Sequence, residues 1–173
     1  MDNRVEAYAI AAYFSVRNNE HELRAKEIIK SLTDKPVVCS HELTADLGLY
    51  ERTVTAVFNA GLTPILKEFL DAVKTTVNKL GLGHAKLFVV KGDGSLMQEA
   101  VARDRPVETI LTGPAASAIG ARILSGRDRA LIIDTGGTST DIAILEKGMP
   151  KINQAGSLVG GYRTKVKAVD MVT

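Results

Sequence analysis

The 173-residue sequence has one cysteine, little excess charge of either sign, and no apolar run near membrane-spanning length. Each shortage removes a class of protein. A single thiol, Cys39, excludes an internal disulfide and points to a reducing, cytoplasmic setting. A net charge of +2 is too small to make nucleic acid or an anionic membrane the main partner. The longest apolar stretches are too short to span a bilayer, and the first residues carry no signal-peptide pattern. Three histidines, His21, His41 and His84, have no metal-ligand spacing. No repeat or low-complexity tract is visible. What remains is an ordinary globular composition, 45% apolar and 24% charged, with enough length for one domain or two small ones.

The most informative segment is Leu131-Ile-Ile-Asp-Thr-Gly-Gly-Thr-Ser-Thr-Asp-Ile-Ala-Ile-Leu145. Two β-branched runs flank a turn of Asp, Gly and hydroxyl residues, the pattern of a tight β-hairpin. Gly136 and Gly137 allow positive φ, so successive N–H groups can converge on one anion. Thr138, Ser139 and Thr140 add hydroxyl donors beside Thr135. Asp134 and Asp141 stand at the two shoulders, where carboxylates can hold Mg²⁺ or its waters next to a phosphate. A plain Asp/Gly hairpin turn needs only one such aspartate. The segment reads as a phosphate-binding loop, although it matches neither G-x-x-x-x-G-K-[ST] nor G-x-G-x-x-G.

Elsewhere strands and helices alternate. Residues 5–14 form an apolar stretch that suits a strand better than a helix, ending at a polar loop over 15–19. Asn19 then caps a helix reaching Leu32, with Ala25, Ile28, Ile29 and Leu32 on its inner stripe and a Glu22–Lys26 pair on the outer face. Residues 37–41 read as a short strand that puts Cys39 and His41 on one face. Apolar residues recur at helical spacing from Leu47 to Leu80, where Pro64 either kinks one helix or opens a second behind Thr63. Leu87 to Val90 is a strand running into the polar turn 91–95. Thr112-Gly113-Pro114 launches a small-residue helix that closes at Gly126, and its start offers free N–H groups to an anion. After the hairpin, strands are expected over 149–154 and 162–172, the latter presenting Arg163, Lys165 and Lys167 as a basic ridge on an edge strand. The alternation predicts an α/β fold with a largely parallel sheet.

Several of these stretches together resemble the hydantoinase/5-oxoprolinase family. They are Ser15-Val-Arg-Asn-Asn-Glu-His-Glu22, Ser40-His-Glu42, Tyr50-Glu-Arg-Thr-Val-Thr55, Asn59-Ala60, Gly92-Asp-Gly-Ser-Leu-Met97, the run from Arg105 to Ala116, and Asp134 to Asp141. They follow in family order over nearly the whole chain. The resemblance implies a partial ribonuclease-H-like, actin-like ATPase superfold, a mixed sheet flanked by helices with a phosphate-binding β-hairpin. It implies an ATP- and Mg²⁺-dependent opening of cyclic amides. Asp134 and Asp141 would be the catalytic and metal-holding residues, and Gly113, Gly136, Gly137, Thr138, Ser139 and Thr140 would bind nucleotide. His41, Glu42, Arg52 and Asp93 are weaker candidates for substrate contact; the plainer account of His41, Glu42, Glu51 and Arg52 is a buried ion pair tying the strand at 37–41 to the long helix. Lys91-Gly92 and Ser95 depart from the family pattern around Asp93.

The family's first phosphate hairpin and its later glycine-rich segment both lie outside these 173 residues, so an internal piece of a larger subunit is expected. Residues 1–126 would close one half-domain and its link, and residues 127–173 would begin the next. Its partners would be a small cyclic amide, the rest of the parent subunit and a second hydantoinase subunit, with no nucleic acid and no membrane. Two other readings remain: a non-catalytic nucleotide-sensing or interaction module, and part of a related ATP-dependent ketone carboxylase.

Overall fold

Small side chains are prominent where the elements of this chain pack. In the computed structural model, which describes residues 5–172, the buried apolar residues include seven alanines: Ala56, Ala60, Ala102, Ala115, Ala118, Ala143 and Ala168. The fold is α/β. Strand β1 (Tyr8–Ile10) leads through a loop to helix α1 (Glu20–Leu32), then to β2 (Val37–Cys39) and a 3-10 turn at Ser40–Glu42. Helix α2 (Leu49–Lys79) follows, then β3 (Phe88–Val90), β4 (Leu96–Gln98), α3 (Glu99–Asp104), a 3-10 turn at Pro106–Thr109 and α4 (Thr112–Ser125). The remainder is strand: β5 (Ala130–Thr135), β6 (Thr140–Glu146), β7 (Met149–Pro150), β8 (Ile152–Asn153), β9 (Leu158–Val159), β10 (Tyr162–Arg163), β11 (Ala168–Val169) and β12 (Met171–Val172).

The expected largely parallel, mixed sheet is not what forms. Among the described residues only β1 and β2 pair in parallel, in register Tyr8↔Val37 to Ile10↔Cys39, and they make a sheet of their own. The largest sheet, β12-β6-β5 with β7 on β6, is antiparallel throughout. Alternation of strand and helix along a sequence predicts crossovers only when the strands meet in one sheet; here hairpins intervene. The strands expected over 149–154 and 162–172 are broken into pairs of residues, so Arg163, Lys165 and Lys167 share no single strand face.

Helix α2 is the spine. It runs unbroken for 31 residues with Pro64 inside it, and Thr63 acts not as a cap but as a donor to the Asn59 carbonyl, 2.8 Å. Its first half buries Ala56 and Ala60 against Val38, and its second half buries Leu70 against Met97 and Ala102. A third core joins Ala115 of α4 to Ala143 and Val169, with Ile132, Ile152 and Met171 around them. That core draws on both sides of the division expected at residue 126.

Helix α1 corrects the sequence reading most. Its inner stripe is weak: Ile28 and Leu32 are 48% and 64% exposed. The residue it buries is Glu22, placed by helical periodicity on the outer face, and Lys26 pairs not with Glu22 but with Glu42. Asn19 does stand at the N-cap position, but its side chain makes no capping bond; Asn18 Oδ1 accepts the Glu20 amide instead, at 3.0 Å.

Candidate functional site

The hairpin forms as the alternating residues dictate. Strands β5 and β6 pair from Ala130↔Leu145 to Thr135↔Thr140, leaving residues 136–139 as the turn. Asp134 and Asp141 face one another across the ladder, and both are half-buried. Side chains two apart on a strand share a face, so the aspartates continue the Ile132–Ala143 face that packs under α4. Helix α4 reaches this end directly: Ser117 Oγ donates to Asp134 Oδ2 at 2.6 Å. Thr135 and Thr140 join their hydroxyls at 3.4 Å.

The tip departs from the expectation in one respect. Neither Gly136 nor Gly137 takes positive φ. Four turn residues spread the chain reversal, and the Gly136 N–H closes the turn on the Ser139 carbonyl at 2.9 Å. One amide is therefore spent on the hairpin itself. Among the described residues, the amides of Gly137, Thr138 and Ser139 have no protein acceptor. Space is open in front of Gly137, where a Cβ would meet nothing within 4 Å. Gly113, at the start of α4, is likewise exposed with open space beside it. It follows Leu111, which holds a left-handed φ of 63°, an uncommon conformation for a branched residue. Three amides without a protein acceptor, the four exposed hydroxyl residues Thr135, Thr138, Ser139 and Thr140, and two opposed carboxylates are groups that suit a polyphosphate with a partly hydrated divalent cation.

A second polar centre is built at the carboxyl ends of β1 and β2. Glu22 is 1% exposed and accepts four hydrogen bonds. Its Oε1 receives the Ala12 amide at 2.8 Å and Ser40 Oγ at 2.7 Å, and its Oε2 receives the His41 amide at 3.1 Å and His41 Nδ1 at 2.5 Å. Burial works to raise this carboxyl, but the bonds from Ser40, His41 and Ser15 outweigh it and hold it at about 2. Arg52, fully buried on α2, donates to the carbonyls of Ala12 (2.6 Å), Tyr13 (3.0 Å) and Asp46 (3.5 Å) and reaches Ser15 and Ser40 at 3.4 Å. Ser40 thus stands between the buried anion and the buried cation. The plainer account of Arg52 holds in altered form: it ties β2 to α2 through hydroxyls and carbonyls, and the acid it balances comes from α1.

The other candidates are placed as follows. His41 and Cys39 do not share a strand face, because His41 belongs to the 3-10 turn. Burial first, then the Glu42 and Glu22 charges, push the Cys39 thiol up to about 11, so it offers no thiolate. The ligand atoms of Glu22, Cys39 and His41 lie within 4.8 Å of one another, yet the Glu22 oxygens are already committed, which fits a hydrogen-bonded centre and not a metal. Glu42 is tied by Lys26 Nζ at 2.5 Å and the Cys39 amide at 3.0 Å, and these keep its carboxyl below the ordinary value against the opposing effect of burial. Its backbone carbonyl accepts from Arg105.

Asp93 sits in the 91–95 turn, holding Ser95 Oγ at 2.6 Å with Lys91 at 3.5 Å. Lys91 also reaches Glu108 at 2.8 Å. These three line a polar cleft with Asp46, Thr55, Lys165 and Lys167. Gly92 is obligatory there, since a Cβ would lie 2.3 Å from the Ile110 carbonyl.

Sequence reasoning missed Glu22, Ser15, Ser40 and Asn59 as site-building residues. Asn59 is buried and bridges the Asp104 carbonyl (2.9 Å) and the Val107 amide (3.1 Å). A polar residue on a helix face that is otherwise apolar was the available signal at Asn59. For Glu22 the signal was its place in the family-like stretch 15–22; helical spacing gave none, because it cannot tell a buried acid from a solvated one.

A family model for hydantoinase/oxoprolinase matches residues 52–173. The caprolactamase subunit alpha of Pseudomonas jessenii is 30% identical over 99% of this chain, and 5-oxoprolinase 1 of Arabidopsis thaliana is 29% identical over 83%. Among solved structures, the ATP-dependent caprolactamase from Pseudomonas jessenii matches 95% of the chain with TM-score 0.72 and 29% identity. Nucleotide-free acetone carboxylase shares the fold over 97%, with TM-score 0.76 and 23% identity. The chain spans 25% of the caprolactamase subunit and 11% of the oxoprolinase.

Proposed function

The chain belongs to the hydantoinase/oxoprolinase family, and we propose that it serves an ATP-dependent enzyme that opens small cyclic amides, its hairpin at 135–140 gripping the nucleotide's phosphates. The observation that carries this reading is the pairing of Asp134 with Asp141 beneath three amides that have no protein acceptor. The relatives' descriptions as an ATP-dependent caprolactamase and a 5-oxoprolinase support the same substrate class.

The chemistry follows from the resemblance. Bound ATP would supply the phosphoryl group that activates the amide oxygen as an imidate-like phosphate open to attack by water. The chain's contribution is electrostatic: amides and hydroxyls of residues 137–140 take up charge on the phosphoryl oxygens, in a site where donors need no reorganisation. Asp134 and Asp141, facing one another across the ladder, would hold Mg²⁺, with water and phosphate oxygens completing its shell. Gly113, with open space beside it, would let the N-terminal amides of α4 add to the same anion's donors. In this reading residues 1–126 close one half of an actin-like ATPase and residues 127–173 open the other, with α4 packed across the division. The rest of the parent subunit would supply the other phosphate hairpin, and a second hydantoinase subunit the remaining substrate contacts.

A ketone carboxylase is the second reading, favoured by a 29% identity to the acetophenone carboxylase gamma subunit over 84% of the chain. Substrate turnover decides between them: a lactam or 5-oxoproline consumed with ATP supports the hydrolase, and a ketone consumed only with bicarbonate supports the carboxylase. Titration of Mg²⁺ and ATP into the parent subunit, with Asp141→Ala as control, tests the nucleotide site. Loss of binding in the variant is expected, and unchanged binding would remove the hairpin from the site.

A further inference from the structure

The centre at the ends of β1 and β2 has one group whose chemistry is left over. Glu22 is held as a carboxylate and so can only accept hydrogen bonds. The His41 ring nitrogen against it, Nδ1, must therefore carry the proton. In the neutral ring this fixes the tautomer and puts the lone pair on Nε2. Among the described residues Nε2 has no protein partner, and no buried side-chain nitrogen or oxygen lacks one, so Nε2 opens to solvent. The His41 side chain is 14% exposed. A buried carboxylate that aligns an imidazole through Nδ1 and leaves Nε2 facing outward is the arrangement a general base requires.

The surroundings fit a ligand site. Ile10 and Cys39 are register partners at the ends of β1 and β2, and the loops that leave them diverge from adjacent points, where α/β proteins collect their ligands. One loop carries Tyr13 and Phe14, packed edge to face at 4.6 Å and yet 66% and 58% exposed. Two exposed aromatic rings therefore directly follow Ala12, whose amide donates to Glu22. The charged and titratable groups around His41 are Glu22 and Lys26 on α1, Cys39 and Glu42 on its own turn, and Arg52 on α2. Glu22 balances Arg52 and Glu42 balances Lys26, so a neutral imidazole leaves the centre without net charge, which suits an uncharged cyclic amide.

We propose that His41 Nε2 is a proton acceptor for the ring-opening reaction and that Glu22 is its positioning residue. The step rests on the cyclic-amide reading above. As a water oxygen bonds to the ring carbon of the activated imidate, one water proton passes to Nε2 and the C=N π pair moves onto nitrogen. Nitrogen then takes that proton back from Nε2, so water has added across C=N and His41 is restored. Collapse of this adduct opens the ring: the hydroxyl proton passes through Nε2 to nitrogen as C=O forms and the C–N bond breaks, leaving an amine and an acyl phosphate, which a second water hydrolyses to carboxylate and phosphate.

The test uses His41→Asn in the parent subunit, because an Asn amide N–H replaces Nδ1–H toward Glu22 and removes only Nε2. Expected is a fall in kcat of about 10²-fold or more, a flattened acid limb of the kcat–pH profile, and unchanged ATP affinity. ¹⁵N spectra of wild-type His41 should show a protonated Nδ1 and an unprotonated Nε2. Wild-type kcat and pH profile in His41→Asn, or a proton found on Nε2, would overturn the proposal. Failure of the wild-type subunit to bind ATP would strike the nucleotide reading alone, since the kcat comparison needs ATP but the His41 tautomer is read from ¹⁵N spectra without it.

Discussion

The two polar centres of this chain are finished to different degrees. Around Glu22 and Arg52, every buried side-chain polar atom has a partner within the chain. At the hairpin, three amides have no protein acceptor, four hydroxyl residues are exposed, and the turn closes only one amide on itself. The first centre is preorganised by its own fold; the second has donors in excess and waits for a ligand or for more protein. A charge held by one donor set in open solvent is screened and poorly oriented, so residues 5–172 alone should show little ATPase activity.

The contrast predicts opposite responses to mutation. The largest effect belongs to Glu22→Ala. Removing one member of a buried, balanced charge set leaves Arg52 uncompensated and costs about 3–5 kcal/mol in denaturant unfolding. Acid should reveal the same group. The Glu22 carboxyl lies at about 2 in the folded chain against an ordinary 4.5. A depressed folded value means its stabilisation is complete above pH 4.5 and is lost as pH falls toward 2; the difference is on the order of 3 kcal/mol. A Glu22→Gln variant should unfold with a much flatter dependence over that window.

The hairpin should behave the other way round. Asp141→Ala in the parent enzyme should lower turnover by roughly 10²-fold or more while the unfolding midpoint stays near wild type; equal loss of both would make Asp141 a structural residue. Ser117→Ala, which frees Asp134, should cost about 0.5–1.5 kcal/mol in stability and lower nucleotide affinity as well. The smallest stability effect is expected for Gly137→Ala, within about ±0.5 kcal/mol, because the added methyl meets open space. If the tip approaches a phosphate, that same methyl should still weaken nucleotide binding.

How much was readable beforehand follows the same division. The hairpin was legible because its strands alternate and its register is set by local turn chemistry, so Asp134 and Asp141 could be placed opposite each other from sequence. The helix over Thr112–Ser125 and its Gly126 stop were legible for similar reasons. The Glu22 centre was not. It is assembled from residues 12, 15, 22, 40, 41 and 52, and only tertiary packing turns the polar edge of α1 inward. Helical periodicity placed Glu22 beside Lys26 in solvent, and strand periodicity placed His41 beside Cys39; both rules describe an element's own geometry and are silent on what packs against it. The sheet was misread for a related reason, since strand order depends on pairings far apart in sequence, such as Met171↔Ala143.

The most direct test is hydrogen exchange of the parent subunit with and without Mg²⁺ and ATP. The amides of Gly137, Thr138 and Ser139 should exchange freely in the empty enzyme and become protected on binding, with protection lost in Asp141→Ala. Nucleotide that binds tightly while those three amides exchange unchanged would contradict the account.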